Sequence, residues 1–437
     1  MSVRSRIFKG IGANSFGQIV NLLIQLVSVP ILISSWGFDK YSEWIVISAI
    51  PTYLALSDLG VTTAASSKVV IWHERAKYFN ASAIYSTSFA FLLAASLTII
   101  SGTIFCLLYL DIFDLLNLKH INSGEGAIIL VNLICYSMLC LFTNMIAIRF
   151  RAYKCYPLSS FIMNFIRMLE WTVALGIAHY TQSLLATSAT LLITRLTGLI
   201  AKNIIANCLG IKLKFMFSSI NKRAFKTLVK PSISSLAFPI GLAMNVQGLV
   251  IILSITLSPA QAAIFSLYRT ISRVLVQLSA IVNQSIWPEI SYAYSAGDYP
   301  LLKKMISAAL KVSLSSASIM GIFIILFGRD IFNLWSGRGA DYSSSIMTIL
   351  IIGAIINVAW QIYWVTLMAT SNHSSFAVVF MLASTLSTTV IYYTSDSLGL
   401  IGACYVIVAA ELILFFASRK SYINLKLSTH HANPLSN

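Results

Sequence analysis

Ser266, Arg269, Thr270, Arg273 and Gln277 recur at three- and four-residue steps inside the stretch "SLYRTISRVLVQLSA". That spacing puts all five on one face of a helix, with Gln284 continuing the line past Ala280 and with Ile271, Val274, Leu275, Leu278, Ile281 and Val282 opposite. Two guanidinium groups on one face keep their charge at any accessible pH, and their planar forks suit phosphate or carboxylate oxygens. Weaker stripes of the same kind are Asn14, Gln18, Asn21, Gln25 and Ser28; Ser160, Asn164, Arg167 and Trp171; and Asn357, Gln361 and Trp364.

The surroundings make these residues unusual. Of the 437 residues 57% are hydrophobic and 10% charged, and the mean hydropathy is +0.82, which places the chain among integral membrane proteins. Twelve apolar runs are long enough to cross a hydrocarbon core of roughly 30 Å as helices. They cover 11–35, 44–66, 82–109, 126–148, 157–180, 183–208, 231–257, 260–287, 307–328, 343–368, 375–395 and 398–418. The first lacks a small-residue cleavage site and reads as a retained span. Pro30, Pro51 and Pro239 fall inside runs and would kink them.

The formal net charge is +16. With the N-terminus in the cytoplasm, Lys40, Lys119, Arg329 and Arg338 are the basic residues left outside, and most others fall in cytoplasmic segments. The positive-inside rule then explains the charge and orients both termini to the cytoplasm, so no nucleic-acid partner is expected. Cys106, Cys135, Cys140, Cys155, Cys208 and Cys404 show neither a disulfide pattern nor metal-ligand spacing. No cofactor or metal is expected.

The basic segment "GIKLKFMFSSINKRAFKTLVK", 210–230, separates two sets of six spans. The expected organisation is an N-terminal six-helix bundle, 1–208, a basic cytoplasmic linker, 209–230, a C-terminal six-helix bundle, 231–418, and a cytoplasmic tail, 419–437. An even number of spans per half makes the halves parallel repeats, as in many transporters. External loops are short, the longest being about 110–125, which leaves no room there for an enzyme site.

Arg269 lies nine residues into its run, about 14 Å at helical rise and near mid-bilayer; Arg167 and Arg195 lie at similar depth. The intramembrane acids are Asp58, Glu170 and Glu411. Two readings stand. The charges can pair off, Glu170 being three residues from Arg167. Alternatively the arginines line a water-filled cationic cavity for an anionic ligand, since a polar stripe in lipid must face other helices or water.

The segment "AIFSLYRTISRVLVQLSAIVNQSIWPEISYAYSAGDYPLLKKMISAALKVS", 263–313, and "LALSDLGVTTA", 54–64, resemble the polysaccharide flippases of bacterial O-antigen and capsule pathways, within the multidrug/oligosaccharidyl-lipid/polysaccharide exporter superfamily. The resemblance implies two helical bundles around a central cavity open alternately to either side. It also implies a cargo, an oligosaccharide on undecaprenyl pyrophosphate, moved from the cytoplasmic to the periplasmic leaflet of a bacterial inner membrane. Membrane lipids and the polysaccharide polymerase of the same pathway are the expected partners. On this view Arg269, Arg273, Arg167, Arg195, Gln277, Gln25 and Asn21 bind substrate, while Asp58, Glu411 and Glu170 are candidates for coupling a proton or sodium ion. The competing expectations are a multidrug or cation antiporter of the same superfamily, a flippase for the peptidoglycan lipid precursor and, from another class, a membrane polysaccharide polymerase or ligase.

Overall fold

The structure, a computed structural model, describes residues 3–54, 60–234, 236–336, 340–370 and 372–431. Every regular element among the described residues is helical. The chain divides into two compact units, Met1–Pro239 and Ile240–Asn437.

The first unit contains α1 (Val3–Trp36), α2 (Phe38–Leu54), α3 (Val61–Glu74), α4 (Tyr78–Tyr109), α5 (Ile112–Leu115), α6 (Ser123–Ala152), α7 (Tyr156–Thr181), α8 (Leu184–Cys208) and α9 (Lys222–Ser234). The second begins within α10 (Ala237–Ala243) and continues through a π-helical turn, Met244–Gly248, to α11 (Leu249–Thr256), α12 (Pro259–Ser272), α13 (Val274–Ser295), α14 (Tyr299–Ser336), α15 (Ser344–Ala369) and α16 (Ser374–His431).

Nine of the described helices are long and apolar enough to cross a membrane. One of these, Ser374–Leu425, holds the last two expected spans, joined through Gly399. Its φ of 59° and ψ of −159° are open to glycine and costly for any residue with a Cβ. Three runs read as continuous spans are interrupted. The second turns at Gly60, whose φ is 69°, just before α3; the seventh contains the π turn; and the eighth breaks at Arg273, between α12 and α13. Hydropathy counts apolar residues; it registers neither a change of hydrogen-bond ring size, as in the seventh run, nor a local backbone turn, as at Gly60. Pro30 and Pro51 lie within α1 and α2.

Local chemistry sets the boundaries. Asn122, Ser183 and Ser258 cap α6, α8 and α12 by accepting from the N–H groups of Gly124, Ala186 and Gln261 at 3.0, 3.2 and 3.2 Å. Pro259 follows Ser258 at the first helical position, where no N–H is required. Glu43, 1% exposed, pegs the loop before α6: its carboxylate accepts from the backbone N–H groups of Lys119, His120 and Ile121 at 2.5, 2.7 and 2.8 Å.

Outer surfaces of the spans are apolar. Phe105, Leu108, Ile319, Leu326, Leu386 and Phe416 are exposed, as hydrocarbon contact requires. Threonines on such faces, including Thr98, Thr172 and Thr385, return their hydroxyls to the carbonyl four residues earlier, so they need no water. The multi-pass membrane character is therefore written in the surface as well as in the sequence.

The basic segment after α8 is ordered against the first unit. Met216 N–H donates to Ser86 Oγ at 3.1 Å and Asn221 N–H to Thr87 Oγ1 at 3.0 Å. Lys68 Nζ donates to the Thr227 carbonyl, and α9 packs on α3 and α4.

Candidate functional site

Each unit carries its own cluster of mid-span polar residues, built mainly from the stripes described above.

In the first unit, α1 packs along α7. Gly17 makes the close approach possible, because a Cβ there would sit 2.4 Å from Asn164 Nδ2. One turn beyond Gly17, Asn21 Oδ1 accepts from Arg167 Nη1 at 2.6 Å. Arg167 and, farther along α1, Gln25 are exposed. A guanidinium exposed at mid-span cannot face hydrocarbon at acceptable cost, so this face borders water or polar groups.

Glu170 lies three residues after Arg167 yet meets Arg195 of α8, with Oε2 at 2.6 Å from Nη2. Tyr136 of α6 completes the group: its hydroxyl accepts from Arg195 Nη2 at 3.1 Å and lies 3.5 Å from Glu170 Oε2. Arg195 is 2% exposed and Glu170 0%. Both are thus sequestered in a buried ion pair that ties α7 to α8, and neither lines an accessible surface of its unit. Glu170 therefore pairs between helices with Arg195, and not with Arg167 on its own helix as the spacing alone suggests.

In the second unit the stripe on α12 and α13 shows in the burial pattern. Ser266, Arg269, Thr270, Arg273 and Gln277 are all partly exposed, while Leu267, Tyr268, Ile271 and Leu275 are buried. Arg269 donates through Nη1 to the Val246 carbonyl at 3.1 Å and through Nη2 to Asn245 Oδ1 at 2.8 Å. Both acceptors belong to the π turn, whose widened ring presents a carbonyl that a regular helix would occupy. Arg273, at the break between α12 and α13, has neither a side-chain hydrogen bond nor an ion pair among the described residues. Glu411 of α16 is 7% exposed. It accepts from Asn357 Nδ2 at 3.0 and 3.1 Å and from Trp360 Nε1, and Gln361 Nε2 donates to Asn357 Oδ1 at 2.8 Å. Glu411 interacts electrostatically with Arg269 and Arg273 but forms no ion pair with either among the described residues.

The structure therefore brings Asn21 and Arg167 together in one unit, and Arg269, Arg273 and Glu411 together in the other. Asp58 lies outside the described residues. Tyr136, Asn245, the Val246 carbonyl and Trp360 join these clusters without having been singled out in the sequence. The polar pair in "MNVQG" marks that stretch as polar, and nothing in the sequence marks it as a π turn. Among the described residues, no group of three or more His, Cys, Asp or Glu is placed to hold a metal ion.

No family model matches the chain. A curated protein of Salmonella typhimurium (strain LT2), named "Putative O-antigen transporter", is 20% identical over 420 residues, covering 94% of this chain and 95% of the relative. Among solved structures, an inward-facing multidrug resistance MATE family transporter of the MOP superfamily aligns with a TM-score of 0.74 at 15% identity, over 96% of this chain and 100% of that one. The lipid II flippase MurJ, in an inward closed conformation, aligns with a TM-score of 0.71 at 13% identity, over 99% and 94%. The fold is that of the MATE and MurJ transporters, consistent with the exporter superfamily that the sequence resembles.

Proposed function

We propose that the chain is a flippase that moves an undecaprenyl-pyrophosphate-linked oligosaccharide, an O-antigen or similar repeat unit, from the cytoplasmic to the periplasmic leaflet of the bacterial inner membrane by alternating access. It performs no covalent chemistry in this reading. The observation that carries it is the state of Arg269 and Arg273, two adjacent mid-span guanidinium groups that are partly exposed, one held by neutral acceptors and the other with no hydrogen bond among the described residues. Arg167, held by Asn21, provides a comparable group in the first unit. Such groups suit pyrophosphate oxygens, while neutral groups such as Gln25 and Gln277 suit sugar hydroxyls. The similarity to a protein named as an O-antigen transporter and the fold shared with a lipid II flippase support the substrate class.

Glu411 offsets part of this positive charge and is the described residue best placed to couple a proton or sodium ion. The polymerase of the same pathway remains the proposed protein partner. A cation exporter is less well supported, because it would need an acidic site and the mid-span clusters described here carry more arginines than acids.

The test replaces Arg269 and Arg273 by Gln, singly and together, and measures membrane abundance and surface display of the glycan. The expected result is near-normal abundance with a sharp fall in display, partly rescued by Lys, which keeps the charge but loses the fork. Full display by the double variant at normal abundance would overturn the cationic mechanism.

A further inference from the structure

A cleft of about 390 Å³ opens in the first unit among α4, α6, α8 and the segment following α8. It has a polar end and an apolar end. Arg149 and Lys214 line the one; Phe89, Leu93, Phe142 and Phe215 line much of the other. Phe89 is the hub of the aromatic wall, its ring centroid 5.1 Å from that of Phe142 and 4.8 Å from that of Phe215.

Arg149 is 2% exposed and has no carboxylate partner among the described residues. Its donors go to Asn203 Oδ1, Asn207 Oδ1 and the Ile211 carbonyl, and its Nε–H is buried without a partner. Lys202, fully buried and next to Asn203 on α8, likewise meets a neutral acceptor, the Thr143 carbonyl at 3.2 Å. Burying cations without a counter-charge is costly unless an anion is supplied from elsewhere.

The dimensions identify the anion's carrier. On α4 the lining runs from Tyr85 to Leu93 and on α6 from Arg149 to Leu139, about 12 and 15 Å at helical rise. That is close to the depth of one leaflet's hydrocarbon, half of roughly 30 Å. The polar end sits where spans meet their basic flanks, and Leu93 at the apolar end is exposed on the outer surface of α4.

We propose that this cleft binds an anionic glycerophospholipid of the leaflet facing the basic ends of the helices, its phosphate at Arg149 and Lys214 and an acyl chain along the phenylalanines. The site is separate from the mid-span arginines. Its occupant is a structural lipid that neutralises Arg149 and fastens the segment after α8 to the bundle. A free anion would leave the aromatic wall unused, and a neutral lipid would leave the arginine uncompensated.

The test uses the full-length protein in nanodiscs of phosphatidylcholine containing a minor fraction of phosphatidylglycerol, with retained lipid counted by native mass spectrometry. Because Arg149 also anchors α8, the variants are Lys214→Glu, at an exposed position, and Leu139→Trp, which fills the apolar end. Phosphatidylglycerol should be retained well above its bilayer fraction. Lys214→Glu should lower that retention about fivefold or more, in keeping with the effect of one basic residue at an anionic surface, and Leu139→Trp should abolish it. Retention in proportion to bilayer composition, or unchanged in both variants, would overturn the proposal. So would displacement by inorganic phosphate, which would make the cleft a free-anion site, or by undecaprenyl phosphate at equal mole fraction, which would assign it to transport cargo.

Discussion

Arg195 and Glu170 meet at 2.6 Å between α7 and α8, although Arg167 lies only one helical turn from Glu170 on its own helix. Glu170 is directed at α8, and Arg167 reaches back to Asn21 of α1. Two arginines that look equivalent in the sequence thereby have opposite environments, one sealed in a pair and one exposed.

That contrast predicts opposite phenotypes. Arg195→Gln or Glu170→Gln strands a buried charge, and each should destabilise the protein by roughly 3–5 kcal/mol, seen as lost abundance and a lower melting temperature in detergent. The double neutral variant should recover most of the loss. Arg167→Gln should leave melting nearly unchanged and reduce glycan display. If Arg195→Gln melted like the unmodified protein, the pair would not be structural.

Glu411 sits among donors, so its replacement by Gln sets an amide N–H against Asn357 Nδ2 or Trp360 Nε1. An unsatisfied buried polar group costs about 1–3 kcal/mol, and Glu411→Gln should lower stability by that amount. Trp360→Phe, which removes a donor to the buried carboxylate and leaves a gap beside Phe376 and Phe380, should cost at least as much. If Glu411 also couples an ion, the residual transport of Glu411→Gln will no longer respond to pH or sodium. Retained dependence would assign coupling elsewhere.

The asymmetry of basic residues predicts topology, and the structure shows which positions are exposed enough to report it. Ser219, in the basic segment after α8, is buried, whereas Lys222 at the start of α9 and Ser123 at the start of α6 are exposed. With the exposed Cys208 replaced by Ser, Lys222→Cys should react with an impermeant thiol reagent from the cytoplasmic side alone. Ser123→Cys should react from the outer side alone. Labelling of both from one side would contradict the assigned orientation.

What could be read in advance depended on whether the information was local. The stripe Ser266, Arg269, Thr270, Arg273 and Gln277 was legible because helical period alone decides which residues share a face, and their common partial exposure agrees with it. The partner of Glu170 was not, because Arg167 and Arg195 are both within conceivable reach and helix rotation chooses between them. The π turn was hidden for another reason: it alters hydrogen bonding without altering hydropathy. Asn203 and Asn207, four residues apart on α8, were not singled out in the sequence; that they grip Arg149 follows from how α6 and α8 pack.

The contact between α1 and α7 gives the last prediction. A Cβ at Gly17 would lie 2.4 Å from Asn164 Nδ2 and 2.8 Å from its Cγ and Oδ1, so Gly17→Ala requires Asn164 to move or the helices to part. Alanine itself favours helix over glycine by up to about 1 kcal/mol, whereas overpacking typically costs 1–3 kcal/mol. The net change should therefore be a modest loss of stability, relieved by Asn164→Ala in the same chain. Because Asn21 is one turn from Gly17, a parting of the helices would also lengthen its hydrogen bond to Arg167. Glycan display should then fall further than abundance in Gly17→Ala and return in the double variant. A Gly17→Ala protein that melts higher and displays glycan normally would mean that Asn164 swings clear, leaving the Asn21–Arg167 contact undisturbed.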